Sequence, residues 1–209
     1  IHESQSRLWE NNVGRSKNFW QYYYPALQKK FPEQFKEISL DNFYKGINQV
    51  KPSFIRTEAD ELTYHFHVFI RYEIEKKLLD NTVSSADIPT YWNELYKKYL
   101  GVGVTDNKKG CLQDVHWSHG SFGYFPTYSL GSFYAAQFFQ TAKNQLNGLE
   151  NEIEDGNTGS LLNWLRQNIH SKGRFHTSEA LCKEITGSGL EVNYFVNYLL
   201  DKYVSIYNL

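Results

Sequence analysis

Residues 53–80 read SFIRTEADELTYHFHVFIRYEIEKKLLD, and their polarity repeats with the period of a helix. Leu62, Phe66, Phe69, Ile70 and Leu78 form an apolar stripe, while Arg56, Asp60, His67 and Arg71 trace a polar face. The pattern predicts one amphipathic, half-buried helix over the whole stretch. Arg56 then falls in its first turn, where the helix dipole disfavours a cation and an anionic partner would remove the conflict. His65 and His67 stand two apart, which on a helix points them to different sides, so they read as one buried and one surface histidine rather than a metal pair.

Segments of the same period lie on both sides. Helices are predicted at about 3–24, 40–50, 53–80, 87–99, 124–147, 158–170, 177–186 and 191–206, with a long loop at about 100–123. No run alternates as a strand does, so the fold class is all-α. Pro25 and Pro32 bracket a turn, Thr177 and Ser178 with Glu179 mark a helix start, and Gly187 marks a stop. The stretch 151–159 is the most linker-like, yet it is too short to demand a boundary, and residues 1–209 read as a single all-helical fragment.

Composition narrows the function classes. A formal net charge of -1 argues against a nucleic-acid partner, which would require a basic face to neutralise phosphates. Cys111 and Cys182 are the only cysteines, too few for a disulfide framework or a thiolate zinc cluster, so a reducing, cytoplasmic setting is expected. No apolar run reaches the roughly 20 residues of a membrane span, and no secretory signal opens the chain. Most of the 16 Tyr, 14 Phe and 5 Trp are read as helical core.

Three clusters carry candidate chemistry. Glu3 and Arg7 are four apart, so on a helix the guanidinium can orient the carboxylate, although a plain surface ion pair has the same spacing. Arg56 has the planar fork that grips a free carboxylate with two parallel hydrogen bonds; the plain alternative is an ion pair with Asp60. In the loop, Gly110, Gln113, Asp114, His116 and Trp117 gather polar groups. An imidazole held by a carboxylate can stabilise the oxyanion of a tetrahedral intermediate, so His116 is the candidate, oriented by Asp114 or Gln113, with His119 as a weaker substitute. A loop-capping cluster plugged by Trp117 competes with that reading. Cys111 lacks a partner for nucleophilic catalysis and reads as a small buried thiol.

Taken in order, Ile1-His2-Glu3-Ser4-Gln5-Ser6-Arg7, Ile55-Arg56-Thr57-Glu58-Ala59-Asp60 and Gly110-Cys111-Leu112-Gln113-Asp114-Val115-His116-Trp117 resemble motifs of the carboxypeptidase Taq family of zinc metallopeptidases. Stretches such as Trp9-Glu10-Asn11 and Trp164-Leu165-Arg166 extend the likeness over essentially the whole chain. The family's H-E-x-x-H helix, with two zinc-binding histidines and the glutamate that activates water, has no counterpart: His2 is followed by Glu3 but by Ser6 at the second histidine position.

The resemblance implies the C-terminal, multi-helix half of a gluzincin-type catalytic domain, preceded in the intact protein by the missing helix. It makes Glu3 the third metal ligand, gives His2, Gln5, Arg7 and Asp60 supporting places around the site, and assigns Arg56 to the substrate's terminal carboxylate. Gln113 and Asp114 are then expected near substrate. Tyr124 or Tyr128, following the histidine as in related gluzincins, would donate a hydrogen bond in the transition state, with core packing the alternative for each. The cofactor implied is zinc, or another divalent ion such as cobalt, in the intact protein and absent from this piece. The partner is a peptide with a free C-terminus, no membrane or nucleic acid is involved, and a homodimer is implied. With one ligand and no general base, the isolated chain is expected to be inactive. A different class of function, a non-catalytic helical module that binds peptide C-termini or mediates dimerisation, is the alternative.

Overall fold

The computed structural model describes residues 1–209 and contains helices, turns and loops but no strand, as the period predicts. The α-helices are α1 (His2–Arg7), α2 (Lys17–Lys30), α3 (Pro32–Phe35), α4 (Leu40–Ile47), α5 (Tyr64–Leu79), α6 (Ile88–Leu100), α7 (Pro126–Gln145), α8 (Leu149–Glu154), α9 (Gly159–Asn168), α10 (Ser178–Thr186) and α11 (Asn193–Tyr207). They group into two compact units, residues 1–48 with 130–209, and residues 49–129.

In the first unit the helix expected over 3–24 is broken. α1 widens into a π-helix at Leu8–Val13, and Gly14 N–H reaches back to Trp9 O at 2.8 Å. Ser16 then caps a new helix, its Oγ accepting from Phe19 N at 3.2 Å. That helix, α2, runs through Pro25, where a turn was predicted. Leu8, Phe138, Ala142, Leu161, Leu165 and Cys182 are fully buried in this unit's core. The linker-like stretch near residue 151 instead begins inside α8, because Leu149 and Ile153, one turn apart, bury against that core.

The second unit is built on α5 against α6, with Ile70 and Ile74 meeting Trp92, Leu95, Tyr96 and Leu100. A smaller cluster forms around Tyr64, Val68 and Phe125. The helix predicted over 53–80 starts only at Tyr64, after a 3-10 turn at Arg56–Glu58. Asp60 explains the delay: its carboxylate accepts from Leu62 N at 2.9 Å, Thr63 N at 2.8 Å and Thr63 Oγ1 at 2.6 Å. A short acidic side chain that satisfies backbone donors locally competes with continued helix, so Arg56 stands before α5 and not in its first turn.

The faces of α5 depart in part from the sequence reading: Ile70 and Leu78 of the expected apolar stripe do pack into the core, but the expected polar residues lie inside with them. His67, Arg71 and Glu75 are buried at 0%, 0% and 2% exposure, whereas Phe66, Phe69 and Tyr72 are at least 40% exposed. The expected polar face is the inner one.

Candidate active site

Asp114 sits where two buried guanidiniums converge in the second unit. Its Oδ1 accepts from Arg56 Nε at 3.1 Å and Arg56 Nη2 at 2.7 Å, and its Oδ2 accepts from Arg71 Nε at 2.6 Å. Burial alone would raise the Asp114 pKa, but the charges and hydrogen bonds of Arg71 and Arg56 outweigh it and hold the carboxyl below its ordinary value. Burial likewise works against the Arg56 cation, and the bonds to Asp114 more than offset it. Hydrogen bonds between ionised partners are stronger than neutral ones, and a buried pair of this kind is costly to break from one side.

Gln113 ties the same loop down on its other side. Its carbonyl oxygen accepts from Arg56 N and from Arg71 Nη2, each at 2.8 Å, and its amide donates to Phe54 O and Lys109 O, each at 2.9 Å. Arg71 further donates to His67 O at 2.8 Å and lies over the Trp92 ring at 4.5 Å. Glu75, one turn farther along α5, accepts from Trp117 Nε1 at 2.9 Å and Gly123 N at 3.1 Å. The inner face of α5 is thus a ladder of polar anchors for the loop. Arg71 and Glu75 were missed as site residues; the signal available was the four-residue spacing of His67, Arg71 and Glu75.

Two expected pairings do not occur. Asp114 does not orient His116, since the nearest approach, Oδ1 to Nδ1, is 4.0 Å, beyond hydrogen-bond range. The orienting group is Tyr128, whose hydroxyl lies 2.9 Å from His116 Nε2, with Phe125 packed on the ring at a centroid distance of 4.3 Å. His116 Nδ1 is buried without a hydrogen-bond partner. Burial lowers the His116 pKa, so the ring is neutral near pH 7. Nor does Arg56 pair with Asp60, whose oxygens serve residues 62 and 63 and Lys51 N.

Arg56 is also poorly placed for a substrate carboxylate. Nε and Nη2 bind Asp114, Nη1 donates to the Tyr64 hydroxyl at 3.0 Å, and only 6% of the residue is exposed. Three of its five N–H groups are thus engaged inside the protein. Gln113 and Asp114 are spent in the same way, as supports of the loop. Tyr124 is 50% exposed with its ring 5.6 Å from that of His116, and His119 is exposed in the 3-10 turn Trp117–His119. His65 is half-buried against Ser129.

The remaining candidates belong to the first unit. Glu3 Oε1 accepts from Arg7 Nε at 3.0 Å, as the four-residue spacing predicts, and Arg7 Nη1 continues to Glu10 at 3.0 Å. Glu3 Oε2 accepts no hydrogen bond, and the side chain is 27% exposed. Gln5 spans from Ser4 Oγ to His170 Nε2, and His2 is exposed. As a single donor Glu3 suits a divalent ion, with one oxygen oriented by arginine and the other free. No group of three or more His, Cys, Asp or Glu stands together in the chain, so these residues do not by themselves make a metal site.

The first unit holds a glutamate oriented by an arginine, and the second a loop histidine bonded to a tyrosine hydroxyl. The family model for carboxypeptidase Taq (M32) metallopeptidases matches residues 1–203, and the chain belongs to that family. It is 47% identical over 209 residues to carboxypeptidase 1 of Bacillus subtilis, covering 100% of this chain and 42% of that protein. It is 44% identical over 207 residues to thermostable carboxypeptidase 1 of Thermus thermophilus, covering 99% and 40%. The crystal structure of the M32 carboxypeptidase from Deinococcus radiodurans superimposes with a TM-score of 0.96 at 38% identity, covering 100% of this chain and 42% of that one. The chain therefore spans about two fifths of the length of the relatives it matches. No helix is long and apolar enough to cross a membrane.

Proposed function

We propose that this chain is the C-terminal part of a zinc- or cobalt-dependent carboxypeptidase that removes C-terminal residues from peptides with a free terminal carboxylate. The observation that carries the reading is Glu3, with Oε1 held by Arg7 and Oε2 left free, in a chain matched by the metallopeptidase family over residues 1–203. A cytoplasmic, homodimeric enzyme goes with this reading; both cysteines are free and buried, in keeping with a reducing compartment.

A divalent ion would supply Lewis-acid polarisation of the scissile carbonyl when bound. This chain's own contribution is different. Glu3 offers a ligand oxygen in an orientation set by Arg7. In the tautomer with Nε2 protonated, His116 donates to the Tyr128 oxygen and leaves the hydroxyl proton to meet the developing negative charge on substrate. Tyr124 stands beside that pair. Arg56, Gln113, Asp114, Arg71 and Glu75 keep the loop in place.

Two experiments test this. The isolated chain, dialysed against zinc, should retain less than about a tenth of an equivalent, because one carboxylate cannot hold the ion against water, and should show no peptidase activity. The full-length protein should hold one equivalent and cleave a free-acid peptide but not its C-terminal amide. A firmly held equivalent in the isolated chain would overturn the assignment of the missing ligands. In the full-length enzyme, His116→Ala and Tyr128→Phe should each lower kcat about 100-fold. Their combination should lower it little further, as groups acting as a unit do. Additive losses in steady-state kinetics would separate the two residues and sink the pair.

A further inference from the structure

Gly131 lies buried in α7 against the first turn of α1. A methyl group placed on it would stand 2.7 Å from Glu3 Cγ, 2.8 Å from Glu3 Cβ and 3.1 Å from the Glu3 carbonyl carbon. The first two contacts are closer than real Cβ atoms come, and the third is with backbone, so moving the carboxylate's end alone would not relieve the crowding. The neighbouring residues are small or closely packed as well: Ser4 is 0% exposed, Ser132 4% and Ala135 1%. The absence of a side chain at position 131 is what allows Glu3 to lie where it does.

We propose that Gly131 is a positioning residue for Glu3, forming with Arg7 a two-sided seat that fixes where the carboxylate is presented. Arg7 acts on Oε1 from one turn along the same helix, and Gly131 acts on Cβ, Cγ and the backbone from α7. The proposal rests on the reading of Glu3 as a metal ligand.

The expected displacement is large on the scale that matters to a ligand. Restoring the closest contact from 2.7 Å to an ordinary 3.4 Å requires a shift of 0.7 Å. Metal–ligand distances tolerate about 0.2 Å, and disturbing the groups that orient a ligand typically costs about 10- to 100-fold in metal affinity. By contrast, Gly46 in α4 has nothing within 4 Å of the position its Cβ would occupy, so a methyl there meets open space.

The test measures zinc affinity and thermal unfolding of the full-length protein. Gly131→Ala should weaken zinc binding about 10- to 100-fold. Leu165→Ala, which hollows the same unit's core, should lower Tm while leaving zinc affinity unchanged, and Gly46→Ala should alter neither in the damaging direction. Glu3→Ala should abolish tight binding whether residue 131 is Gly or Ala. Glu3→Asp is a second arm that leaves Gly131 intact: with α1 held against α7, a carboxylate shortened by one methylene cannot advance, and affinity should fall comparably. If Glu3→Ala loses zinc while Gly131→Ala binds as wild type, the seat is refuted and the ligand reading stands. Wild-type affinity in Glu3→Asp also refutes it, showing that α1 can slide. If Glu3→Ala keeps wild-type affinity, the ligand reading falls and the seat has no function to serve.

Discussion

Asp114→Ala is expected to destabilise the protein by about 3–5 kcal/mol, the cost of breaking a buried charge pair from one side. The reason lies in what remains. Arg71 is 0% exposed and Arg56 6%, so the substitution leaves two guanidiniums buried side by side with no anion between them. Their other partners, Tyr64, Gln113, His67 O and Tyr96, are neutral acceptors that do not cancel charge. Set against a typical total of about 5–15 kcal/mol, the loss is a large part of the stability. Asp114→Asn keeps the shape and removes the charge, and should fall between wild type and alanine. Urea unfolding of the three proteins by far-UV circular dichroism should show midpoints dropping in that order with little change in slope. The surface ion pair Lys17–Asp41, with a 2.7 Å separation but side chains 50% and 67% exposed, is the contrast: Asp41→Ala should leave the unfolding midpoint nearly unchanged. An Asp114→Ala cost equally small would mean that the two arginines are solvated in the native state.

The Arg56–Asp114–Arg71 cluster also shows which parts of the molecule were legible in the chain. Local signals read well: α6 at Ile88–Leu100 and α10 at Ser178–Thr186, stopped by Gly187 at φ 85, fall within a residue or so of their expected spans. Local competition was harder to see. Asp60 binds its own neighbours' N–H groups and delays α5, and Ser16 caps a second helix where the apolar period runs on. The burial of the polar residues of α5 follows from long-range pairing. A periodic helix shows which residues share a face, but which face is buried depends on partners 43 and 42 residues away, Asp114 for Arg71 and Trp117 for Glu75. The same holds for the site. Motif order pointed to Glu3, Arg56, Asp114 and His116, and the four-residue spacing gave the Glu3–Arg7 contact. That Arg56 supports the loop, and that Tyr128 holds His116, became visible only once the loop was folded onto α5.

That inner face should make the protein acid-sensitive through His67. Burial, then the positive charges of Arg71 and Arg56, push its pKa from 6.5 down to about 3, opposed by Asp114. Its Nδ1 lies 2.9 Å from the Tyr96 hydroxyl and its Nε2 is buried without a partner, so no acceptor is poised to welcome a second proton. In the unfolded chain the same imidazole titrates near 6.5. Above that pH both states are neutral and the full stability is present. Below it the unfolded state binds a proton that the native state refuses, so stability is lost as pH falls toward the native pKa. The slope should approach about 1.4 kcal/mol per pH unit between roughly 6 and 4, and at pH 4 the loss should be about 3 kcal/mol. Asp114 adds to this trend only farther down, because its lowered pKa keeps it charged until the unfolded carboxyl begins to protonate near 4. Equilibrium unfolding at pH 7, 6, 5 and 4 should therefore show most of the decline already by pH 5, before carboxylates titrate. Replacing His67 with Gln removes the titrating group from a position where the backbone carbonyl, not the ring, serves Arg71. Whatever its stability at pH 7, that variant should have a clearly shallower profile from pH 7 to 5, with the remaining slope coming from His116, whose pKa burial also lowers, and an unchanged wild-type slope in it would assign the acid sensitivity to another group.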